Sequence, residues 1–306
     1  MEDRPTDDGP PDDGLTVDAE RVAGLTGRAV AGLRPVGGGS ICSAYRVSFT
    51  DGAPAFAKTL PGAPESFFPA EARGLRRLEP AHNGGVDVPR VIAVAEDCLV
   101  LDWVEPGHPT AAAAEALGRS LATTHGRGAP RFGGLDGTGF VGPLPLPAGP
   151  YESWVRLWAE GRVLPYLREA RDAGAIGPAD TLDVERALAG LEALPGADEP
   201  PALVHGDLWS GNVLWGADGR VRLVDAAAVH GGHRETDLAM LALFGLPHLD
   251  TVLGAYADSC EPALAGGWRG RVALHQLHPV LVHAVLFGGG YGRQAGQLAR
   301  QTLRSR

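Results

Sequence analysis

Hydrophobic and polar positions follow two different periods along this chain, and the change of period divides it into two parts. In the first part, apolar residues alternate with polar ones, which is typical of half-buried strands. Strands are predicted at Leu33–Val36, Tyr45–Phe49, Ala55–Thr59, Val86–Ala95 and Cys98–Val104. Helical spacing occurs in this part at 17–31 and at Phe67–Leu78.

The spacing becomes mainly helical after a break at Glu105-Pro106-Gly107. It predicts an alanine-rich helix over 110–126, a Gly/Pro loop over 127–150, and two or three helices up to about residue 194. After a linker at Pro195–Pro201, short strands are predicted at Val204, Val213–Trp215 and Val221–Val224, and helices resume at Glu235.

This order of elements predicts an α+β protein with two lobes. We expect a disordered acidic tail over 1–14 and a small, β-rich N-terminal lobe over 15–104. A larger, mainly helical C-terminal lobe would cover 105–306, with a hinge near 102–107.

The charge and composition of the chain narrow its possible partners. The formal charge is −10, with 27 Lys and Arg against 37 Asp and Glu, and nucleic acid selects clustered cations instead. The N-terminus is acidic and no long apolar run occurs, so neither a signal peptide nor a membrane span is expected. Three cysteines without a CxxC pair predict no disulfide framework. We therefore expect a cytoplasmic protein of undetermined oligomeric state that binds neither nucleic acid nor membrane.

One lysine stands out against this background. Arginine outnumbers lysine 26 to 1, and Lys58 is the single lysine. A lysine that persists in such a composition indicates a place for a compact point charge, where a forked guanidinium will not fit. The alternative is the chance survival of a surface lysine.

The sequence His205-Gly206-Asp207-Leu208-Trp209-Ser210-Gly211-Asn212 carries the strongest chemical signal, and Asp225 follows an apolar strand shortly after it. Phosphoryl transfer needs a base near the acceptor hydroxyl and magnesium ions across the phosphates. Asp207 suits the base, whereas Asn212 and Asp225 offer the oxygen ligands that Mg²⁺ prefers. The alternative is a polar turn between two strands.

The N-terminal part contains a matching set of candidate nucleotide ligands. The loop Gly37-Gly38-Gly39-Ser40 lies between two predicted strands, where backbone N–H groups can approach phosphates, although a plain hairpin loop would look the same. Lys58 on the third strand and Glu71 on the next helix have the order of the ion pair that positions ATP in kinases. A surface salt bridge is the alternative for that pair.

From about residue 20 to residue 292, the chain resembles the fructosamine kinase (ketosamine-3-kinase) family, within the larger aminoglycoside phosphotransferase-like group. The segments that carry the resemblance are LVHGDLWSGNVLW (203–215), VDAAAVHGGHRETDLAMLALFG (224–245), GGGSICSAYRV (37–47), FAKT (56–59) and ESFFPAEARGLRRL (65–78). The tryptophan in HGDLWSGN distinguishes this family from the broader group. Family members often have Asp-Pro-Ala where this chain has Asp225-Ala226-Ala227, a change expected to loosen that loop slightly.

The resemblance implies a bilobal, protein-kinase-like fold that uses ATP and Mg²⁺. It implies phosphorylation of the C3 hydroxyl of ketosamines, on free amines or on protein lysines, as a step in deglycation. Trp209 would stack on the sugar, although packing of a loop tryptophan is an equal alternative. A kinase for another small hydroxyl substrate (an aminoglycoside, choline or a sugar) and a nucleotide-binding pseudokinase remain open.

Several further residues are expected to support this site. His205 would stabilise its own loop, and Asp237 would anchor the catalytic loop from behind by hydrogen bonding. Asp102, Trp103 and Val104 at the hinge would offer backbone groups to adenine. The two H-x2-H pairs, at His230/His233 and His275/His278, lack neighbouring Cys or carboxylate at zinc-type spacing, and no structural metal is expected there.

Overall fold

The computed structural model describes residues 18–37, 41–82 and 84–305. The predicted acidic tail over 1–14 therefore lies outside the described residues, as do Gly38, Gly39 and Ser40 of the glycine loop.

A five-stranded antiparallel sheet forms the first part of the fold, with the strand order β1-β2-β3-β5-β4. Its strands are β1 (Val30–Pro35), β2 (Ser43–Phe49), β3 (Pro54–Thr59), β4 (Val91–Val94) and β5 (Cys98–Asp102). Each was predicted from the alternation of apolar residues, although β4 is shorter than expected. Lys58 lies on β3 and pairs across the sheet with Ala44 and Leu99.

Two helices accompany this sheet. Helix α1 covers Ala19–Thr26, because Gly27 adopts a left-handed conformation (φ 67°) and its N–H closes on the Ala23 carbonyl. The helix predicted over 17–31 was therefore too long, since β1 already begins at Val30. Helix α2 covers Phe67–Leu78, with the bounds that the apolar spacing predicted.

The rest of the chain is mainly helical, with short strands between the helices. Its helices are α3 (Ala111–Gly126), α4 (Trp154–Arg156), α5 (Leu164–Asp172), α6 (Pro178–Leu188), α7 (Glu235–Leu243), α8 (Leu249–Ser259), α9 (Trp268–His275), α10 (Leu277–Phe287) and α11 (Tyr291–Arg304). A π-helical stretch over Leu157–Val163 joins α4 to α5 without a break. Among the described residues, no helix combines the length and the apolar character that crossing a bilayer requires.

Short strands complete the second part. They are β6 (Gly133–Gly134), β7 (Gly139–Val141), β8 (Leu144–Leu146), β9 (Ala202–Val204), β10 (Val213–Trp215), β11 (Val221–Leu223) and β12 (His230–Gly232). The first three fall in the segment predicted as a plain loop, where glycine and proline hide the alternation. Strand β9 pairs with β12, and β10 pairs with β11, so the predicted catalytic segments lie at strand ends.

The largest core cluster spans both parts of the chain. Its fully buried members include Phe68 and Leu75 of α2, Leu99 of β5 and Leu241 of α7. Because α2 contributes to a core shared with the helical part, its position depends on residues far away in the sequence. The sheet ends at Asp102; the division into lobes at 104/105 stays a prediction.

Gly74 marks the closest approach between α2 and the segment that follows β11. A Cβ atom at this position would overlap the backbone carbonyl of Ala226, in the turn Ala226–Ala228. Only glycine allows the two backbones to come so near to each other.

We predict that Gly74→Ala destabilises the protein by about 1–3 kcal/mol, because the new methyl group meets rigid backbone instead of a flexible side chain. Gly24→Ala is the matched control, since that glycine is exposed in α1 with open space around its Cβ position. The control should be neutral or stabilising by up to about 1 kcal/mol. Chemical denaturation of both variants measures the difference, and equal stabilities would contradict the proposed close contact.

Candidate active site

Asp237 at the start of α7 organises the loop between β9 and β10. Its carboxylate is fully buried and accepts hydrogen bonds from the backbone N–H groups of His205 (2.7 Å) and Gly206 (2.9 Å). It also accepts one from His125 Nε2 at 3.1 Å, and His125 Nδ1 lies 2.8 Å from the Tyr256 hydroxyl. The hydrogen-bonding role expected for Asp237 is thus present, whereas His125 and Tyr256 were not found from the sequence.

His205 connects this loop to the strand that precedes Asp225. Its Nε2 donates to the Val224 carbonyl at 2.9 Å, and its Nδ1 accepts from the Asp207 N–H at 3.3 Å. Burial lowers the pKa of His205 below its ordinary value. The neutral ring therefore supports the loop through both nitrogens.

Asp207 and Asn212 contact each other within the loop between β9 and β10. The Asn212 amide nitrogen donates to the Asp207 carbonyl at 2.7 Å and contacts the Asp207 carboxylate at 3.3 Å. Burial, followed by the negative charge of Asp225, raises the pKa of Asp207 to about 7. A carboxylate with this pKa can take up a proton near neutral pH.

Two charged side chains from the first part of the chain and one from the second part meet beside this loop. Lys58 Nζ lies 2.7 Å from a carboxylate oxygen of Glu71, and it also donates to the carboxylate of Asp225. Lys58 and Glu71 are buried, whereas the side chain of Asp225 is half exposed. The ion pair between Lys58 and Glu71 agrees with the hypothesis made from the sequence. The contact of Lys58 with a second carboxylate, that of Asp225, was not predicted.

Burial and charge shift the ionisation of all three groups. Desolvation lowers the pKa of Lys58, but the charges of Glu71 and Asp225 outweigh it and the net shift is upward. For Glu71, burial raises the pKa to about 7 despite the opposing charge of Lys58. Burial also acts to raise the pKa of Asp225, but Lys58 more than compensates and holds it below its usual range.

The backbone directs Asp225 towards this cluster. Asp225 follows β11 and adopts a left-handed conformation, with φ 58° and ψ 47°. Residues other than glycine rarely occupy this region, and such positions concentrate at functional sites.

The remaining nucleotide candidates follow the C-terminal ends of β1 and β5. Gly37 is exposed after the end of β1, and the other residues of its loop lie outside the described part of the chain. The Asp102 N–H donates to the Arg90 carbonyl at 2.9 Å, and its carboxylate pairs with the Arg90 guanidinium at 3.0 Å. The Trp103 indole donates to Glu105 at 2.8 Å. The backbone N–H of Asp102 is thus already bonded to Arg90, and Trp103 and Val104 follow the end of β5.

Trp209, in the loop between β9 and β10, is partly exposed to solvent. It is 37% exposed and contacts the Phe244 ring edge to face, with 5.8 Å between the centroids. Phe244 is also exposed, so two aromatic rings border the site. Phe244 was missed because a single apolar residue after a helix carries no distinctive sequence signal.

A separate buried cluster joins two of the four histidines in the H-x2-H pairs, one from each pair. Ligand-type atoms of His233, Glu235 and His275 lie within 4.8 Å of one another. However, Glu235 forms a bidentate ion pair with Arg271, at 2.9 and 2.5 Å, and His233 Nε2 donates to the Gly196 carbonyl at 3.0 Å. His275 Nδ1 contacts the Thr236 hydroxyl at 3.1 Å, whereas its buried Nε2 has no hydrogen-bond partner among the described residues and lies 3.5 Å from Glu235.

The fold places this chain among the protein-kinase-like phosphotransferases, and the α+β fold class predicted from the sequence is confirmed. A thermostable mutant of aminoglycoside phosphotransferase APH(4)-Ia, in ternary complex with AMP-PNP and hygromycin B, superimposes with a TM-score of 0.61. The match covers 94% of this chain and 98% of that one at 17% identity. At this identity the likeness concerns the fold alone.

More similar proteins define the family. A family model for fructosamine kinase matches residues 19–305. A "probable ketoamine kinase" of Synechocystis is 33% identical over 295 residues, which cover 94% of this chain and 96% of that protein. The crystal structure of a "putative fructosamine-3-kinase" from Thermobifida fusca has a TM-score of 0.86 at 47% identity, covering 94% and 98% of the two chains. The chain belongs to the fructosamine kinase family, and the resemblance noted in the sequence is confirmed.

We predict that Asp237→Asn destabilises the protein by roughly 2–4 kcal/mol, because its buried carboxylate accepts hydrogen bonds from two backbone N–H groups and one histidine. Asp258→Asn, at an exposed position of α8, is the control and should change stability by less than about 0.5 kcal/mol. Thermal and urea denaturation compare the two variants. A loss for Asp237→Asn no larger than that of the control would exclude the anchoring role.

Proposed function

We propose that this chain is an ATP-dependent kinase that transfers the γ-phosphoryl group to the C3 hydroxyl of ketosamines, adducts of sugars with free amines or protein lysines. Family membership supports the ketosamine as substrate. The observation that carries the chemistry is the meeting of Lys58, Glu71 and Asp225 beside the loop that bears Asp207. The phosphorylated adduct would then decompose, so the activity serves deglycation.

In this proposal, Lys58 binds the α- and β-phosphates of ATP and Glu71 fixes its position. The loop Gly37-Gly38-Gly39-Ser40 would cover the phosphates with backbone N–H groups. Adenine would lie against residues 102–104. There the N–H of Asp102 is already bonded to Arg90, which leaves the backbone of Trp103 and Val104 to bind the base.

Asn212 and Asp225 fit a magnesium ion. The amide nitrogen of Asn212 is bonded to Asp207, which leaves the amide oxygen for a cation, and the half-exposed carboxylate of Asp225 stays ionised. Oxygen ligands of this kind are those that Mg²⁺ prefers, with phosphates and water completing the set. When bound, the ion would neutralise charge on the transferring phosphates.

Asp207 would act as the base. Its carboxylate accepts the proton of the substrate hydroxyl while that oxygen forms a bond to the γ-phosphorus, and the bond from the γ-phosphorus to the bridging oxygen breaks to release ADP. The amide nitrogen of Asn212 holds Asp207 in place by contacting both the carbonyl and the carboxylate of Asp207. Trp209, together with Phe244, would bind one face of the substrate by stacking.

The three free cysteines are compatible with a reducing compartment, and we propose a cytoplasmic location. A pseudokinase would not need the intact set of Asp207, Asn212 and Asp225, so we favour an enzyme. A kinase for another small hydroxyl substrate is the remaining alternative, and the substrate test must include it.

The test of the proposed function is phosphate transfer from ATP to fructose-lysine and ribulose-lysine, each free and within a peptide. Aminoglycosides, choline and free sugars serve as competing acceptors. We expect the ketosamines to have the highest kcat/KM and NMR to locate the new phosphate on C3. Preferential turnover of another acceptor, or phosphate on another carbon, would refute the assignment.

We predict that Asp207→Asn lowers kcat by about 10²-fold or more, because the amide cannot accept the proton of the substrate hydroxyl. The affinity for Mg-ATP should stay nearly unchanged in calorimetric titration. Asp218→Asn, an exposed change in the turn between β10 and β11, is the control and should retain wild-type turnover. Near-wild-type kcat in Asp207→Asn would remove this residue from the mechanism.

The raised pKa of Asp207 also sets a pH dependence. The protonated carboxyl group cannot accept a proton, so kcat/KM for the ketosamine should fall as the pH drops through about 7 and level off above it. Steady-state rates between pH 5 and 9 measure this profile. A rate that stays constant down to pH 5 would show that no group with such a pKa has to be ionised.

We predict that Lys58→Arg lowers kcat/KM for ATP by at least roughly 10²-fold although it keeps the charge. The longer, planar guanidinium would displace the phosphates or Glu71 from their positions. Arg76→Lys, an exposed swap on α2, is the control. Steady-state kinetics beside a thermal melt separate activity from folding, and a nearly active Lys58→Arg enzyme would refute the need for a compact charge.

A further inference from the structure

Arg162 is a buried cation that has no carboxylate partner within the ranges that the structure describes. It lies in the π-helical stretch between α4 and α5 and is 2% exposed. Its Nη1 donates to the carbonyls of Pro147 (3.1 Å) and Gly161 (2.9 Å), and its buried Nε has no hydrogen-bond partner among the described residues. Burial lowers the pKa of this guanidinium to about 10. A buried charge without a counter-ion is costly, and a bound anion would offset that cost.

Arg162 lines a pocket whose other lining residues include sequence neighbours of Glu71 and Asp225. The pocket has a cavity volume of about 30 Å³ and is partly open to solvent. Its walls come from α2, from the glycine-containing loop over 134–139, from residues 146–148 and from residues 227–230 after Asp225. Space of this size accommodates a compact polar group, and the rest of a larger ligand would extend through the open side into solvent.

The charges around the pocket favour an anion. Arg73 of α2 lines it and makes no ion pair with a described carboxylate; its Nη2 lies 3.4 Å from the Thr138 carbonyl. Arg77 also lines it, but pairs with Asp136 at 2.9 Å. Burial lowers the pKa of His230 to about 3, so this ring is neutral. Arg73 and Arg162 thus both line the pocket, and neither pairs with a carboxylate in the described part of the chain.

We propose that this pocket binds a phosphate group, as inorganic phosphate or as a phosphate monoester such as a sugar phosphate, between Arg73 and Arg162. A phosphate dianion matches two guanidinium groups in charge, and guanidinium forks suit its oxygens in geometry. A carboxylate carries one negative charge and would leave one cation uncompensated.

The occupant would contact two elements that position the candidate active site. Arg73 lies on α2, two residues after Glu71, and an adjacent wall includes the segment that follows Asp225. Gly74 already brings these elements into backbone contact. A phosphate in the pocket would hold them together more firmly, so the bound form of the folded chain is more stable than the free form.

The test is a thermal melt titrated with sodium phosphate and, separately, with glucose 6-phosphate, each at an ionic strength matched with sodium chloride. Four proteins are compared: wild type, Arg73→Gln, Arg162→Gln and the control Arg76→Gln. Arg76 is on the same helix as Arg73 but is exposed outside the pocket. At ten times the dissociation constant, the Tm should rise by roughly 2–4 °C in wild type and in the control.

The proposal requires that this rise disappears in Arg73→Gln and in Arg162→Gln. A rise with both ligands shows that the site binds the phosphate group itself, whereas a rise with only one of them identifies the source that the pocket accepts. If Arg162→Gln does not fold, the half-buried Arg73→Gln decides the question. The proposal is overturned if phosphate raises the Tm of the wild type no more than chloride does. It is also overturned if the Tm of Arg73→Gln rises as much as that of the wild type, because the anion then binds elsewhere.

Discussion

Lys58 has a charge that the fold must bury, and the rest of the site depends on how that charge is balanced. Its ammonium group contacts Glu71 of α2 and Asp225, which follows β11. Removing one partner of such a buried set leaves an uncompensated charge, which typically costs several kcal/mol. The strand, the helix and the loop therefore have to be in place together. This requirement joins residues that lie up to 167 positions apart.

Local signals explain why much of this was predictable from the sequence. The bounds of α2 follow from apolar spacing alone, and the five strands of the sheet follow from alternation. The candidate residues Asp207, Asn212 and Asp225 stand in a short motif whose residue types suit phosphoryl transfer. The prediction of Lys58 rested on composition, because one lysine among 26 arginines draws attention to its position.

The features that escaped prediction arise from tertiary contacts. The hydrogen bonds that join His125 to Asp237 and Tyr256 connect helices that are remote in sequence. The contact between Lys58 and Asp225 likewise exists only after both parts of the chain pack together. The burial of Arg162 without a described carboxylate partner could not be predicted either, because arginine is common in this sequence. Strands β6 to β8 escaped because glycine and proline dominate them.

The account assigns Asp225 two partners, Lys58 and a magnesium ion, and this double role is its central claim. Calorimetric titration of ATP, with and without Mg²⁺, into wild type and Asp225→Ala tests it most directly. Magnesium should strengthen ATP binding to wild type by at least roughly 10-fold and should have no such effect on the variant. An equal strengthening by Mg²⁺ in both proteins would show that the metal binds elsewhere and would contradict the account.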